Sequence, residues 1–388
     1  MKSIIFITDD PGVGGVHQYN LSISKILRHR KYKLMHIRDV DIEIAKNDQL
    51  FFEKLEQPVH FIKNLEDFNN LLFKSNAHID LIIFSNSSPF SNFEFKRVAI
   101  NCNIPFVVVE GLVEPYLSFK HSKYLPELTF HYQNAKEVIA VSQDNLYSLY
   151  NFFGLPSHKG KVIHYGRPEC FFKERQIAIR QRIRQKLGIE EDKIVCITTA
   201  RIEERKGYQY LLDAIRHLIK SELWHKLHFL WIGGSFFAPQ LEEYFTKQIQ
   251  NLGAQKKVTI LEQQPNIADY LDAADIFILP SKAEGMPLSI MEAMAKGIPV
   301  IASAVNGIPE ELGDTGHLLP DPNVNPQGMG LQIAETIEDW VTRPHKRLAE
   351  GKKGRDRAKL MFKEEHMTDR TLQVIKQALL QKKRLYIS

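Results

Sequence analysis

The sequence predicts an α/β protein with parallel sheets, organised in two domains. Three observations carry this. Apolar runs of four to six residues alternate with helical stretches along the whole chain, the pattern of strand–helix–strand units. Several runs, such as 81–84 and 106–109, are continuously apolar, as strands covered on both faces are. Finally, 388 residues exceed one ordinary core, so two domains are expected. The alternation pauses at Arg167-Pro168-Glu169, which places the domains at 1–170 and 171–365, with a closing segment at 366–388.

In chain order, 4–7 is the first expected strand. The glycine loop Pro11-Gly12-Val13-Gly14-Gly15 then opens a helix over about 17–28. Strands follow at 34–37, 59–62, 81–84, 106–109, 138–141 and 162–163. A basic helix, 175–187, opens the second half, whose strands are expected at 194–198, 227–232, 258–261, 276–279 and 300–302. Its helices fall at 207–220, 239–252, 267–273, 287–296 and 327–342. A charged stretch, 344–365, precedes a last helix at about 366–383.

Composition narrows the function classes. Hydrophobic residues make up 44% and charged residues 25%, the balance of a soluble globular protein. The net charge of +5, from 51 basic and 46 acidic residues spread over both halves, is too weak to imply a nucleic-acid partner. Cys102, Cys170 and Cys196 have no metal-binding spacing, and reduced cytosolic thiols are expected. The apolar run 3–7 is too short for a signal peptide, and no run reaches the roughly 18 apolar residues a spanning helix needs. A cytoplasmic location is therefore expected. Arg28-His29-Arg30-Lys31 ends the first helix, where cations suit the helix dipole; contact with anionic lipid at a membrane inner face is the alternative.

The stretch from Ser281 to Ala295 carries the chemistry. It follows the strand 276–279, and Pro280 ends that strand. Gly285 permits a tight backbone path, and Pro287 suits the first position of a helix that stops at Gly297. Glu284 is thereby expected in a loop at the carboxyl end of a strand, with Glu292 on the helix behind it. The Leu288 and Ser289 N–H groups have no intrahelical acceptor and suit a phosphate oxygen. Two carboxylates beside such a helix end fit a nucleotide sugar: they accept hydrogen bonds from ribose and hexose hydroxyls while the helix end takes the diphosphate.

Glu284 and Glu292 enclose seven residues, which resembles the E-x7-E motif of the retaining family-4 glycosyltransferases. The likeness continues through Gly297-Ile298-Pro299, Gly307-Ile308-Pro309-Glu310 and Thr315-Gly316-His317, dense over 194–320 and thin elsewhere. The resemblance implies a GT-B fold, two Rossmann-like doubly wound domains facing a central cleft, with the last helix crossing back to the first. It assigns Glu284 to hydroxyls of the transferred sugar and Glu292 to the ribose, with Gly285 and Met286 in the same loop. Arg201 and Lys206, in Ala200-Arg201-Ile202-Glu203-Glu204-Arg205-Lys206-Gly207, are assigned to the donor diphosphate. Glu203, Glu204 and Arg205 are read as a solvated turn. Gly233-Gly234 matches a loop near the nucleotide, though a plain turn explains it equally well. Glu262 is placed near the base.

In the first half, Gly14 and Gly15 resemble a glycine loop that lets the backbone approach donor phosphate and acceptor. His17 lines the same cleft or faces solvent. A dinucleotide fingerprint would need Gly where His17 stands; Asp39 after the second strand does not rescue it, and NAD binding is set aside. Many relatives carry His after the strand 106–109, where this chain has Glu110. Glu110 contacts an acceptor group, or it supports the site while His121 or His131 serves instead. Asp272 and Asp275 are expected to point apart, and no metal or other cofactor is expected.

The implied reaction is a retaining transfer of a hexose from a nucleoside diphosphate sugar, with UDP-sugar the default, to a hydroxyl of a glycan, lipid-linked or small-molecule acceptor. The alternatives are a catalytically silent sugar-nucleotide-binding module, an epimerase, and a phosphorylase of the same fold.

Overall fold

The computed structural model describes residues 1–10, 14–39, 59–62, 66, 68, 70, 78–235 and 238–380. Pro11, Gly12 and Val13, the side chain of Asp39, and the expected end of the last helix at 381–383 lie outside the described residues. The described chain forms two compact units. One comprises 1–166 with 364–388, the other 167–363. The sequence reading had drawn these breaks at 170/171 and 365/366.

The first unit holds a parallel sheet in the order β3-β2-β1-β4-β5-β6-β7. Its strands are β1 (Ser3–Thr8), β2 (Lys33–Asp39), β3 (Val59–Ile62), β4 (Leu81–Asn86), β5 (Phe106–Glu110), β6 (Glu137–Ala140) and β7 (Gly160–Val162). The central strands carry unbroken apolar runs, 4–7, 81–84 and 106–109, as strands covered on both faces do; Ile7, Phe84, Val108 and Tyr132 are among the buried core. The last helix, Glu364–Leu380, belongs to this unit. Its Thr371 meets the Tyr19 hydroxyl at 3.0 Å, and the Met367 sulfur accepts from Gly166 N–H at 3.3 Å.

The second unit holds a parallel sheet in the order β10-β9-β8-β11-β12-β13. Its strands are β8 (Ile194–Thr199), β9 (Leu227–Ile232), β10 (Val258–Leu261), β11 (Ile276–Leu279), β12 (Val300–Ser303) and β13 (His317–Leu319). Trp231, Phe245, Ile278 and Trp340 anchor its core. Strand order reverses beside β1 in the first unit and beside β8 in the second. At such switch points the loops leaving neighbouring strands diverge and open a crevice at the carboxyl edge.

β13 was missed, being three residues with one exposed. The charged stretch 344–365 is largely a helix, Pro344–Met361. Its contact face is small rather than apolar: Gly351, Gly354 and Ala358 are its buried residues. A Cβ on Gly351 would overlap the Gly297 carbonyl oxygen, and one on Gly354 would lie 3.6 Å from Met294. Such a strip carries almost no hydrophobic periodicity. Among the described residues no helix is long and apolar enough to cross a membrane.

Candidate functional site

The carboxyl edge of the second sheet gathers most of the expected site. β8 and β11 are adjacent and parallel, and the Thr198 hydroxyl donates to the Ile278 carbonyl at 2.7 Å. From β8 the chain turns through Glu204–Lys206, a single 3-10 turn, into the helix Tyr208–Leu218. Gly207, at φ +77°, makes that turn close against the β11 loop, where a Cβ would overlap the Pro280 carbonyl. A left-handed residue pressed on a neighbouring backbone has to be glycine. The close approach delivers Lys206 to Glu284.

Glu284 is 5% exposed. Its carboxylate meets Lys206 Nζ at 2.6 Å and Arg205 Nη1 at 3.4 Å, and accepts from the Ser281 hydroxyl at 2.8 Å. Burial by itself would raise the Glu284 pKa; Lys206 and Arg205 outweigh it and hold the carboxyl below its ordinary range. The carboxylate is thus held charged while buried, with its donors already in place. Arg205 also donates to the Ala283 carbonyl at 2.7 Å. Arg205 is therefore a clamp on the Glu284 loop and not part of a solvated turn; Lys282 N–H in turn donates to the Arg205 carbonyl at 2.7 Å. Arg201 is more exposed and pairs with Glu203 at 2.8 Å.

The helix behind runs Leu288–Ala295. Pro287 is its N-cap, extended at ψ 116°, one position earlier than expected. Ile290 N–H is bonded to the Pro287 carbonyl at 3.1 Å. The Leu288 and Ser289 N–H groups come before Ile290, the first intrahelical donor. Gly285 and Met286 are buried in the loop, while Leu288 and Ser289 are half-buried at its end. At the other end Gly297 is left-handed at φ +70°, and Ile298 N–H closes on the Ala293 carbonyl at 2.9 Å, a Schellman arrangement.

Glu292 is buried, and Arg167 Nη2 meets its Oε1 at 2.8 Å. Burial raises the Glu292 pKa, with Arg167 pulling the other way. Arg167 lies with its guanidinium 4.8 Å from the centre of the Phe171 ring, and its N–H donates to the Phe362 carbonyl at 2.8 Å. The sequence reading treated Arg167 only as a boundary marker. Gly233, at φ +143°, lies where a Cβ would overlap the Ala200 carbonyl, and Ile202 N–H donates to the Gly234 carbonyl at 2.6 Å. The pair is thus a backbone contact between the β8 and β9 loops. Glu262 is exposed, its Cα 3.6 Å from where a Cβ on Gly234 would stand.

Asp272 and Asp275 are spent on structure. Asp272 pairs with the buried Lys296 at 2.8 Å, and Asp275 with Arg180 at 3.0 Å and Arg184 at 2.6 Å. Among the described residues no group of three or more His, Cys, Asp or Glu has the arrangement of a metal site.

In the first unit, the switch point joins the loops after β1 and β4: Asp9 accepts from Ser87 N–H at 3.0 Å and from its hydroxyl at 2.7 Å. Gly14 is the N-cap of the helix Gly15–His29. A Cβ on Gly15 would stand 3.0 Å from the Tyr165 ring, so Gly15 serves a tight contact inside the unit. His17 is buried, which removes the solvent-facing reading. Glu110 is fully buried. Its Oε1 accepts from Asn86 Nδ2 at 3.0 Å and from the Tyr132 hydroxyl at 2.9 Å. Burial raises its pKa, with the buried Lys96 opposing. These two bonds tie the end of β5 to Asn86 and to Tyr132, while Oε2 has no hydrogen-bond partner. His131 is fully buried against Phe93, ring centres 4.8 Å apart, and His121 packs on Phe90 at 5.1 Å.

Residues 179–357 match the family model of glycosyl transferases group 1. The putative colanic acid biosynthesis glycosyltransferase WcaL of Salmonella typhimurium is 30% identical over 175 residues, 40% of this chain and 40% of that protein. D-inositol 3-phosphate glycosyltransferase of Corynebacterium efficiens is 28% identical over 212 residues, 53% of this chain and 50% of that protein. The chain thus spans half the length of these curated relatives, or less. Among solved structures, Anabaena HepE in complex with UDP-glucose aligns with a TM-score of 0.81 at 19% identity, over 97% of this chain and 100% of that one. Sucrose-phosphate synthase from Thermosynechococcus elongatus aligns with a TM-score of 0.78 at 18% identity, over 98% and 100%. The fold is GT-B.

Proposed function

We propose that this GT-B protein is a retaining glycosyltransferase. It moves a hexose from a nucleoside diphosphate sugar to a hydroxyl acceptor and keeps the α configuration. The observation that carries the reading is the Glu284 carboxylate, kept charged between Lys206 and Arg205 at the β8/β11 switch point, beside the Leu288 and Ser289 amides. The glycosyltransferase match over 179–357 and the UDP and UDP-glucose complexes of a protein with the same fold support it, and they make UDP-sugar the first donor to try.

Each residue then has a task. Glu284 accepts hydrogen bonds from hydroxyls of the hexose. Glu292 accepts them from the ribose. Lys206, Arg201 and the two amides offset the charge that gathers on the departing diphosphate, and such preorganised donors are worth most where water is excluded. The bond from the anomeric carbon to the phosphate oxygen breaks, and the bond to the acceptor oxygen forms on the same face. The acceptor proton passes to an oxygen of the leaving phosphate. The diphosphate is held by cations and amides, so no divalent ion or other cofactor is assigned to it.

The test is release of nucleoside diphosphate from UDP-, GDP- and ADP-sugars in the presence of candidate acceptors, with and without EDTA. Release from one donor class, unaffected by EDTA, with an α-linked product by proton NMR, is expected. Absence of release from all three would remove the enzyme reading. Loss on chelation, restored by Mg²⁺ or Mn²⁺, would remove the metal-independent one.

The first unit is assigned to acceptor choice, with the acceptor class left to experiment. Glu110→Gln, which disturbs the Asn86 and Tyr132 contacts, is expected to change relative rates among acceptors and leave UDP affinity within about threefold, because the side chains assigned to the donor, Arg201, Lys206, Glu284 and Glu292, all lie in the other unit. Loss of UDP binding in that variant would show the division to be wrong.

A further inference from the structure

We propose that Glu311 is a buried, uncharged carboxylic acid that stands behind the diphosphate-facing turn and weakens diphosphate binding when it ionises. The proposal rests on the reading that the Leu288–Ala295 helix start takes the diphosphate.

Glu311 lies in the short helix Ile308–Leu312. It is fully buried, and neither carboxyl oxygen has a hydrogen-bond partner. An ionised carboxylate in that position would be buried without a hydrogen bond. Arg357 is nearby but committed elsewhere. Its Nε donates to the Glu311 backbone carbonyl at 2.9 Å, and its Nη2 to the Glu310 carbonyl at 2.7 Å.

The helix is coupled to the proposed site through its preceding loop. The Asn306 side-chain oxygen accepts from Glu284 N–H at 3.1 Å, and Gly307 N–H reaches the Glu284 carbonyl at 3.5 Å. Burial drives the Glu311 pKa well above the ordinary carboxylate value, and the Glu284 and Glu310 charges add to this; the Met291 backbone N–H and Arg357 oppose. The Met291 amide approaches without meeting hydrogen-bond geometry. Met291 is the fourth residue of the helix whose first turn faces the diphosphate.

The consequence is electrostatic. A neutral Glu311 leaves the positive end of that helix available to an anion. An ionised Glu311 places a negative charge on the same end and cancels part of its attraction. With the pKa raised by the fold, the neutral form is complete below the ordinary carboxylate pKa. Its contribution, to stability and to diphosphate affinity alike, is lost as pH rises through the raised value. Burial also lowers the pKa of Lys206, which pairs with Glu284. The comparison that matters is therefore between proteins that differ only at position 311.

The experiment is calorimetric titration of the full chain with UDP, and with uridine, between about pH 5.5 and about pH 9.5. The unchanged protein is compared with Glu311→Gln and Glu311→Leu, which are neutral at every pH; the second covers a failure of the first to fold. UDP affinity of the unchanged protein is expected to fall roughly tenfold more across this range than that of either variant, while uridine shows no such difference. Parallel UDP curves for all three proteins would overturn the role of Glu311 and leave the donor-site reading standing. Failure of the unchanged protein to bind UDP at any pH would overturn both.

Discussion

Glu284→Gln is expected to lower turnover by about 10²- to 10³-fold, the usual loss when one preorganised group at a reacting centre is removed, and to leave UDP affinity within about threefold. The two effects separate because free UDP has no hexose for Glu284 to hold. The substitution keeps the shape of the side chain and its contact with the Ser281 hydroxyl but removes the charge between Lys206 and Arg205. Lys206 is then a half-buried cation without its carboxylate. Breaking a buried pair from one side costs up to about 3–5 kcal/mol, so thermal unfolding is expected at a lower temperature, with partial recovery when UDP is added. Initial rates on UDP-sugar beside calorimetry with UDP read both. A variant that loses UDP and keeps its turnover would assign Glu284 to the nucleotide.

Glu292→Ala is expected to do the reverse. If Glu292 holds the ribose, the lost hydrogen bonds to a charged group weaken UDP and UDP-sugar together by about ten- to a hundredfold, or roughly 1.5–3 kcal/mol. The variant also strands Arg167, whose guanidinium is buried and pairs with Glu292 at 2.8 Å, so a stability loss of up to about 3–5 kcal/mol accompanies it. Arg167→Met with Glu292→Gln removes both charges and separates the two effects. Stability returns toward the parent value, and the affinity loss remains. If the double variant binds UDP as the parent does, Glu292 serves only to fix Arg167.

The legible parts of this site were those set by neighbours in sequence. The continuous apolar run of β11, Pro280 at its end, Gly285 in the loop and Gly297 after the helix place Glu284 and Glu292 without any distant contact. Lys206 was legible for the same reason, lying between a strand and the helix that Gly207 opens. What stayed hidden depends on chain segments remote in sequence. Arg167 reaches Glu292 only through the fold. Arg205 looks like one more charge in a charged turn until the Pro280 loop closes over it. Glu311 sits beside Glu310 in a stretch where either could face solvent, and only packing decides which is buried. The helix Pro344–Met361 escaped because Gly351 and Gly354 bury it by absence of a side chain, a signal that hydrophobic patterning does not carry. Glu110 was singled out by its place after β5, but its burial beside Asn86 and Tyr132 depends on segments on either side of it in sequence.

The most direct test of the central claim, that the carboxyl edge of the second sheet is a nucleoside diphosphate site, is calorimetric titration of UDP into the unchanged chain and into Lys206→Met combined with Glu284→Gln. The double change removes both charges of the Lys206–Glu284 pair at once, so neither is left stranded. The unchanged chain is expected to bind UDP, and the variant to bind it at least about tenfold more weakly while keeping a cooperative thermal transition, the loss of one charge-assisted contact to phosphate. Equal affinity in the two proteins, or no binding by the unchanged chain, would contradict the account.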